Sequence, residues 1–386
     1  MAIVKINRKA TDRVASGHPW IFASDVVDRG DAQAGEAVQV ADFRNRVLGT
    51  AHYSSTSQIT LRFLSRRVEE IDSAFLRRRL GDALALRERV VHGSDAYRVV
   101  YTEGDLLPAL IVDRYGDYLV IQTLNQGMDR LQPDIVRCLE ELLAPKGIIA
   151  RNDVAVRTRE DLPVETKVVS GEVPGRVDVT VNGLKLHADL VHGQKTGVYL
   201  DQRENYVAAA RYGRGTALDC FTSTGGFALH LARSCEHVEG VDSSEHAVRT
   251  AEANRDLNAL GNVSFREADV FDLLTGYAAT KRKFDLVVLD PPAFTKSRQA
   301  VEGAARGYKE INQRALRLLD SGGVLVTCSC SHHFSEAMLL DVLAQASLES
   351  GKTLRVLERR SQAQDHPILL TAPETHYLKC LVLQVV

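Results

Sequence analysis

The sequence predicts an α/β protein. A C-terminal doubly wound sheet follows a β-rich N-terminal unit and a middle α/β unit. Three observations carry this expectation. From about residue 201, apolar runs of strand length alternate with helix-like segments. Residues 1–67 instead show short alternating runs and turn residues. Between the two lies a helix-period stretch followed by a mixed pattern. A chain of 386 residues suits two or three domains, and the boundaries are set at 1–68, 69–180 and 181–386.

In the first segment, residues 38–42 and 59–64 alternate as strands do, and Gly17-His18-Pro19-Trp20 marks a turn. The spacing of Ile71, Phe75, Leu76, Leu80, Ala83 and Leu84 predicts one amphipathic helix from Glu69 to about Val91. Strands are expected at 97–101, 118–122 and 148–150. A helix is expected from Leu131 to Leu143, broken by Pro145-Lys146-Gly147. Asn182-Gly183 signals a hairpin leading into the last domain. There, strands are expected at 216–220, 238–242, 263–265, 284–289 and 324–328, with helices at 227–233 and 247–257. Such alternation implies a parallel sheet, with ligands at the carboxyl ends of its strands.

The composition, 45% hydrophobic and 25% charged, is that of an ordinary globular protein. No apolar stretch is long enough to cross a bilayer, and the N-terminus lacks a signal-peptide core. A cytoplasmic protein without a membrane partner is expected. The six cysteines show neither a disulfide framework nor a zinc spacing, so reduced thiols and no metal are expected. Net charge is −2, so a polyanion would need a local basic patch. Lys5, Arg8, Lys9, Arg13, Arg44, Arg46, Arg62, Arg66 and Arg67 are candidates, interspersed with Asp25, Asp28, Asp31, Glu36 and Asp42.

The strand ending at Asp219 runs into Cys220-Phe221-Thr222-Ser223-Thr224-Gly225-Gly226. This loop lacks the three spaced glycines that let backbone approach a dinucleotide pyrophosphate. It suits a cofactor without phosphate. Asp242 closes the next strand, where a carboxylate can hold ribose hydroxyls; capping the following helix is the competing role. Asp269 follows the third strand, where it can accept from an adenine amino group. Adenosine without phosphates and a charged tail near Asp219 describe S-adenosylmethionine. The expected cofactor residues are Asp219, Phe221, Ser223, Gly225, Gly226, Asp242, Asp269 and Asp290.

Two apolar runs end in reactive residues: one at Asp290-Pro291-Pro292, the other at Cys328-Ser329-Cys330. If successive strands add outward, these two are neighbours, about 5 Å apart. Prolines remove backbone donors and leave carbonyls to accept from an exocyclic amine. Methylating a base nitrogen needs no thiol. A pyrimidine C5 has no lone pair, and a thiolate adding to C6 makes it nucleophilic. A nearby cation would favour that thiolate, and His332 and His333 are candidates.

At this point the chain resembles the bacterial and archaeal class I methyltransferases with an N-terminal PUA domain that make 5-methylcytosine in large-subunit (23S) ribosomal RNA. The resemblance rests on 17–22 with 48–51, on 104–116, on 195–203, on Asp365-His366-Pro367 and on Tyr377-Leu378-Lys379. It implies RNA docking by the PUA unit, a Rossmann-like methyltransferase sheet, S-adenosylmethionine and a homodimer. It also implies a nucleophilic cysteine in Ser329-Cys330-Ser331, hence Cys330; Asp290, a carboxylate placed beside that thiol at a strand end, is the second catalytic residue expected, with cytosine as its partner. Cys328 also fits a related Thr-Cys-Ser pattern, as a helper or as a core thiol. A wider group of such enzymes carries a releasing cysteine after the proline of the Asp-x-Pro loop; here Pro292 and Ala293 stand there. The alternatives are a guanine-N7 or adenine-N6 methyltransferase, a non-catalytic RNA-binding assembly factor and an NAD-dependent dehydrogenase.

Overall fold

The computed structural model describes residues 1–193, 198–295 and 298–386. Lys195, Thr196 and Gly197 of the resembling stretch lie outside them. The chain forms two compact units. One contains Met1–Val179, Ala188–Val198 and Gln364–Thr375; the other contains Thr180–His187, Tyr199–Ala363 and His376–Val386.

The first unit holds two sheets. The N-terminal one has six strands, in the order Trp20–Phe22, Ile59–Ser65, Val47–Tyr53, Ala37–Ala41, Ile3–Ile6, Val26–Asp28. Val4, Ile6, Ile21, Val38, Val40 and Leu61 fill its core. It also carries a helix, Arg8–Ala15, that the alternating pattern did not reveal; Asn7 caps it by accepting from the Ala10 N–H. Several of the basic candidates are neutralised locally. Arg13 meets Asp25 at 2.7 Å, Arg46 meets Asp42 at 2.8 Å, and the buried Arg62 meets Glu160 at 3.0 Å.

The second sheet has five strands, from Thr166–Gly171 through Gly147–Arg151, Tyr118–Thr123 and Leu110–Tyr115 to Ala96–Tyr101. Helices Ser73–Val90 and Gln132–Leu143 bury Phe75, Leu76, Leu80, Ile135 and Leu139 against Val99, Val112 and Ile121. The helix expected from Glu69 starts at Ser73 because Asp72 caps it, accepting from the Phe75 N–H at 2.9 Å. The expected hairpin forms at Asn182 and Gly183, both with positive φ (51° and 77°), as a primed turn requires.

The second unit is built on seven strands: β1 (Thr216–Cys220), β2 (His237–Asp242), β3 (Val263–Glu267), β4 (Phe284–Leu289), β5 (Leu319–Ser329), β6 (Leu354–Arg360) and β7 (Lys379–Val385). Their order is β3-β2-β1-β4-β5-β7-β6. The first five are parallel. The parallel sheet expected from the alternation forms, and towards one edge it adds β7, which runs antiparallel between β5 and β6. The chain adds β2 and β3 on one side of β1, then returns to place β4 on the other. That reversal puts the carboxyl ends of β1 and β4 side by side, the usual position for a ligand in such a sheet. Leu218, Val287, Leu289 and Leu325 pack one face with Tyr308 and Leu343, and Ala217, Leu286, Val288 and Val326 pack the other with Phe227.

Candidate active site

The loop leaving β1 is a strained turn. Phe221 and Ser223 have positive φ (63° and 50°), and so does Gly225 (90°). Such conformations cost non-glycine residues of order 1 kcal/mol each and persist where neighbours enforce them. Here Thr222 N–H donates to the Val241 carbonyl at 2.9 Å, and Ser223 N–H donates to Asp242 Oδ2 at 2.9 Å. The two glycines face protein. A Cβ on Gly225 would lie 3.1 Å from Phe265, and one on Gly226 would lie 2.5 Å from Tyr206.

Asp219 lies fully buried at the base of this loop. Its Oδ2 accepts from the Thr222 hydroxyl at 2.6 Å and from the Ala228 N–H at 2.9 Å. Oδ1 is buried without a hydrogen-bond partner among the described residues. Burial pushes the carboxyl up to about 7 against those two bonds, and Asp290 and Asp242 act with burial. A buried oxygen lacking a donor is costly in isolation and suited to a cation.

Asp242 closes β2. Its Oδ1 accepts from the Ser244 N–H at 3.0 Å, while Oδ2 holds Ser223. Ser244, not Asp242, caps the following helix Glu245–Leu257. Asp242 therefore ties the β1 loop to the end of β2. Asp269 is exposed and caps the helix Val270–Ala279, accepting from Asp272 N–H at 3.1 Å through Oδ1.

On the other side of β1, the exits of β4 and β5 meet. Leu289 is the register partner of Thr327, which brings Asp290 level with Cys328 and one step short of Ser329-Cys330. The Thr295 N–H reaches Ser331 Oγ at 3.4 Å and joins the two exit loops. Ser329 Oγ and Ser331 Oγ both bond the Tyr308 hydroxyl, at 2.8 and 3.0 Å. Alternate residues of an extended chain project together, so this grip on both serines turns Cys330 to the opposite side.

Cys330 is the one cysteine of six that is not buried. Cys328 lies within the core beside Cys380, its register partner, and burial followed by that neighbour pushes its thiol well up. This is the core-thiol arrangement. Asp290 is oriented by Gln202, whose Nε2 donates to Oδ2 at 3.0 Å; Asn205 in turn donates to Gln202 Oε1 at 2.7 Å. Burial first, then Asp290, Asp201, Cys330 and Asp242, raises the Tyr199 phenol. Asp290 and Cys330 thus both act on one side chain.

The His332 ring lies tilted against Tyr377, centroids 5.8 Å apart, and burial, Lys379 and His333 lower its pKa. Gln202, Tyr199, Tyr308 and Lys379 escaped sequence reasoning as functional residues. Tyr199, Gln202 and Lys379 lay in stretches that carried the resemblance without a role of their own, and Tyr308 lay in none. The described residues contain no cluster of His, Cys, Asp and Glu suited to a metal, and no helix long and apolar enough to cross a membrane.

Two family profiles match this chain. A PUA-like domain matches residues 4–66, and an S-adenosylmethionine-dependent methyltransferase matches residues 109–382, which include every site residue above. The chain belongs to the S-adenosylmethionine-dependent methyltransferases. Among similar proteins, ribosomal RNA large subunit methyltransferase I of Tolumonas auensis is 41% identical over 96% of each chain. That of Klebsiella pneumoniae is 40% identical over 94% of this chain and 93% of its own. A crystal structure assigned as a methyltransferase and complexed with SAH shares the fold, with a TM-score of 0.85 at 18% identity and full coverage of both chains. The cofactor of this methyltransferase family is S-adenosylmethionine, as the phosphate-free loop predicted.

Proposed function

We propose that this methyltransferase forms 5-methylcytosine in large-subunit ribosomal RNA through a covalent bond between Cys330 and cytosine C6. One observation carries the reading: the only unburied thiol leaves its strand beside Asp290, which Gln202 holds in place. Base-nitrogen methylation has no use for that thiol.

The cofactor fits the residues present. Asp219 Oδ1, buried without a donor, suits the ammonium of its amino-acid tail. Asp242 suits the ribose hydroxyls, and Asp269 the adenine amino group. Phe221 and Ser223 shape the wall, with Gly225 and Gly226 supporting it from behind. Bound S-adenosylmethionine supplies an electrophilic methyl group on a sulfonium. The Cys330 thiolate adds to C6, and the displaced π electrons make C5 the attacking carbon. Asp290 hydrogen-bonds the polar edge of the cytosine and fixes C5 in line. C5 forms its bond to the methyl carbon as the S–CH3 bond breaks, and transfer of the C5 proton to water then restores the C5–C6 double bond and expels the thiolate. RNA docking by the PUA-like segment 1–68 and a homodimeric assembly complete this reading; filter binding by a 69–386 truncation and light scattering test them. Mass spectrometry of nucleosides from methylated ribosomal RNA tests the product. 5-Methylcytidine is expected, and N-methylated guanosine or adenosine would overturn the proposal.

A further inference from the structure

Lys379 opens β7 opposite Ser329 and is 3% exposed. Its Nζ donates to the Ser331 carbonyl at 2.7 Å and to the Tyr377 carbonyl at 2.8 Å. No carboxylate pairs with it among the described residues. A buried cation with only neutral partners is costly, and a nearby anion relieves that cost. The Ser331 carbonyl that holds the ammonium belongs to the residue after Cys330. We propose that the Lys379 ammonium is the charge that holds Cys330 as a thiolate. Lys379 is then a positioning residue for the nucleophile. The proposal rests on the covalent reading above.

The acids nearby make such a charge useful. Cys330 interacts electrostatically with Tyr199, Tyr308 and Lys379. The phenols carry no positive charge, and Asp290, Asp201 and Asp242 converge on Tyr199 from the same neighbourhood. These acids oppose a thiolate. Burial, Lys379 and His333 disfavour the charged form of His332, the cation that the sequence offered for this role. Around Lys379 stand Cys330, Glu336 and His332. Burial brings its ammonium down to about 8, while Cys330 and Glu336 act to keep the proton on. Such coupling is mutual: what keeps the lysine protonated also favours the deprotonated sulfur. The same ammonium, bonded to Ser331, joins Tyr308 in fixing the segment from which the sulfur projects.

Alkylation of full-length protein by iodoacetamide across pH, read by mass spectrometry of the Cys330 peptide, tests this directly. The five buried cysteines leave Cys330 as the reactive one. The wild-type midpoint is expected below the free-cysteine value of about 8.5. In Lys379→Met it should rise by at least about one unit, and methylation at pH 7 should fall about tenfold and recover as pH rises. Lys379→Arg should restore the low midpoint. An unchanged midpoint in folded Lys379→Met overturns the proposal. If that variant does not fold, a wild-type midpoint at or above the free value overturns it instead. Full methylation by Cys330→Ala would remove the covalent reading, yet leave the alkylation result for Lys379 standing.

Discussion

Two loops at the same edge of one sheet are held by opposite means. The loop leaving β1 is fixed through its backbone: two non-glycine residues and one glycine at positive φ, pinned by Val241 and Asp242. The segment leaving β5 has ordinary geometry and is fixed through side chains, Tyr308 on both serines and Lys379 on the Ser331 carbonyl. The first leaves a carboxylate oxygen without a donor among the described residues; the second leaves a sulfur unburied. In each, rigidity surrounds one reactive atom. The difference predicts where substitutions act: at the β1 loop on cofactor binding, at the β5 exit on turnover.

The largest contrast is expected from Cys330→Ala. Methylation should vanish while calorimetric affinity for S-adenosylmethionine stays within about threefold, because the sulfur lies outside the cofactor loop. Loss of cofactor binding as well would merge the two regions. Asp290→Asn should lower turnover about 10²–10³-fold, the scale of removing one positioned polar group, with a smaller effect on cofactor affinity. Single-turnover assays separate the two.

Asp219→Asn should do the reverse. Its folded pKa is raised, so its contribution to folding is full below about 4 and is lost as pH climbs through about 7. The ligand-free variant should therefore be more stable than wild type at pH 8, by up to about 4 kcal/mol, and equal to it near pH 4. Its affinity for S-adenosylmethionine should fall at least about tenfold. Denaturant melts at the two pH values check the sign. Tyr308→Phe is the mildest change. It removes both serine bonds, costs about 1–2 kcal/mol, and should reduce turnover more than cofactor affinity.

Local features of both regions were legible in the sequence. Phe284–Leu289 was read to the residue, because an apolar run bounded by a charged residue and prolines has few alternatives. The Asn182-Gly183 turn and the phosphate-free loop were equally plain. The helix Val301–Leu316 was not, since it contains Gly303 and Gly307 and has no side-chain cap. The antiparallel strands β6 and β7 escaped because their pairing, β7 with β5 and β6 with β7, is set by tertiary contacts. Lys379 escaped for the same reason: nothing local shows that a lysine is buried. The acids at the strand ends were placed by position, yet their hydrogen-bond partners were not. Only coordinates show that Asp242 braces a strained loop, that Ser244 takes the cap, and that Cys328 is core.

The central claim is tested most directly by incubating the protein and S-adenosylmethionine with ribosomal RNA containing 5-fluorocytidine. Fluorine at C5 blocks the proton loss that frees the enzyme. The account predicts a stable protein–RNA adduct that maps to the Cys330 peptide and is absent from Cys330→Ala. Normal methylation of unmodified RNA with no adduct, or an adduct at another residue, would contradict it.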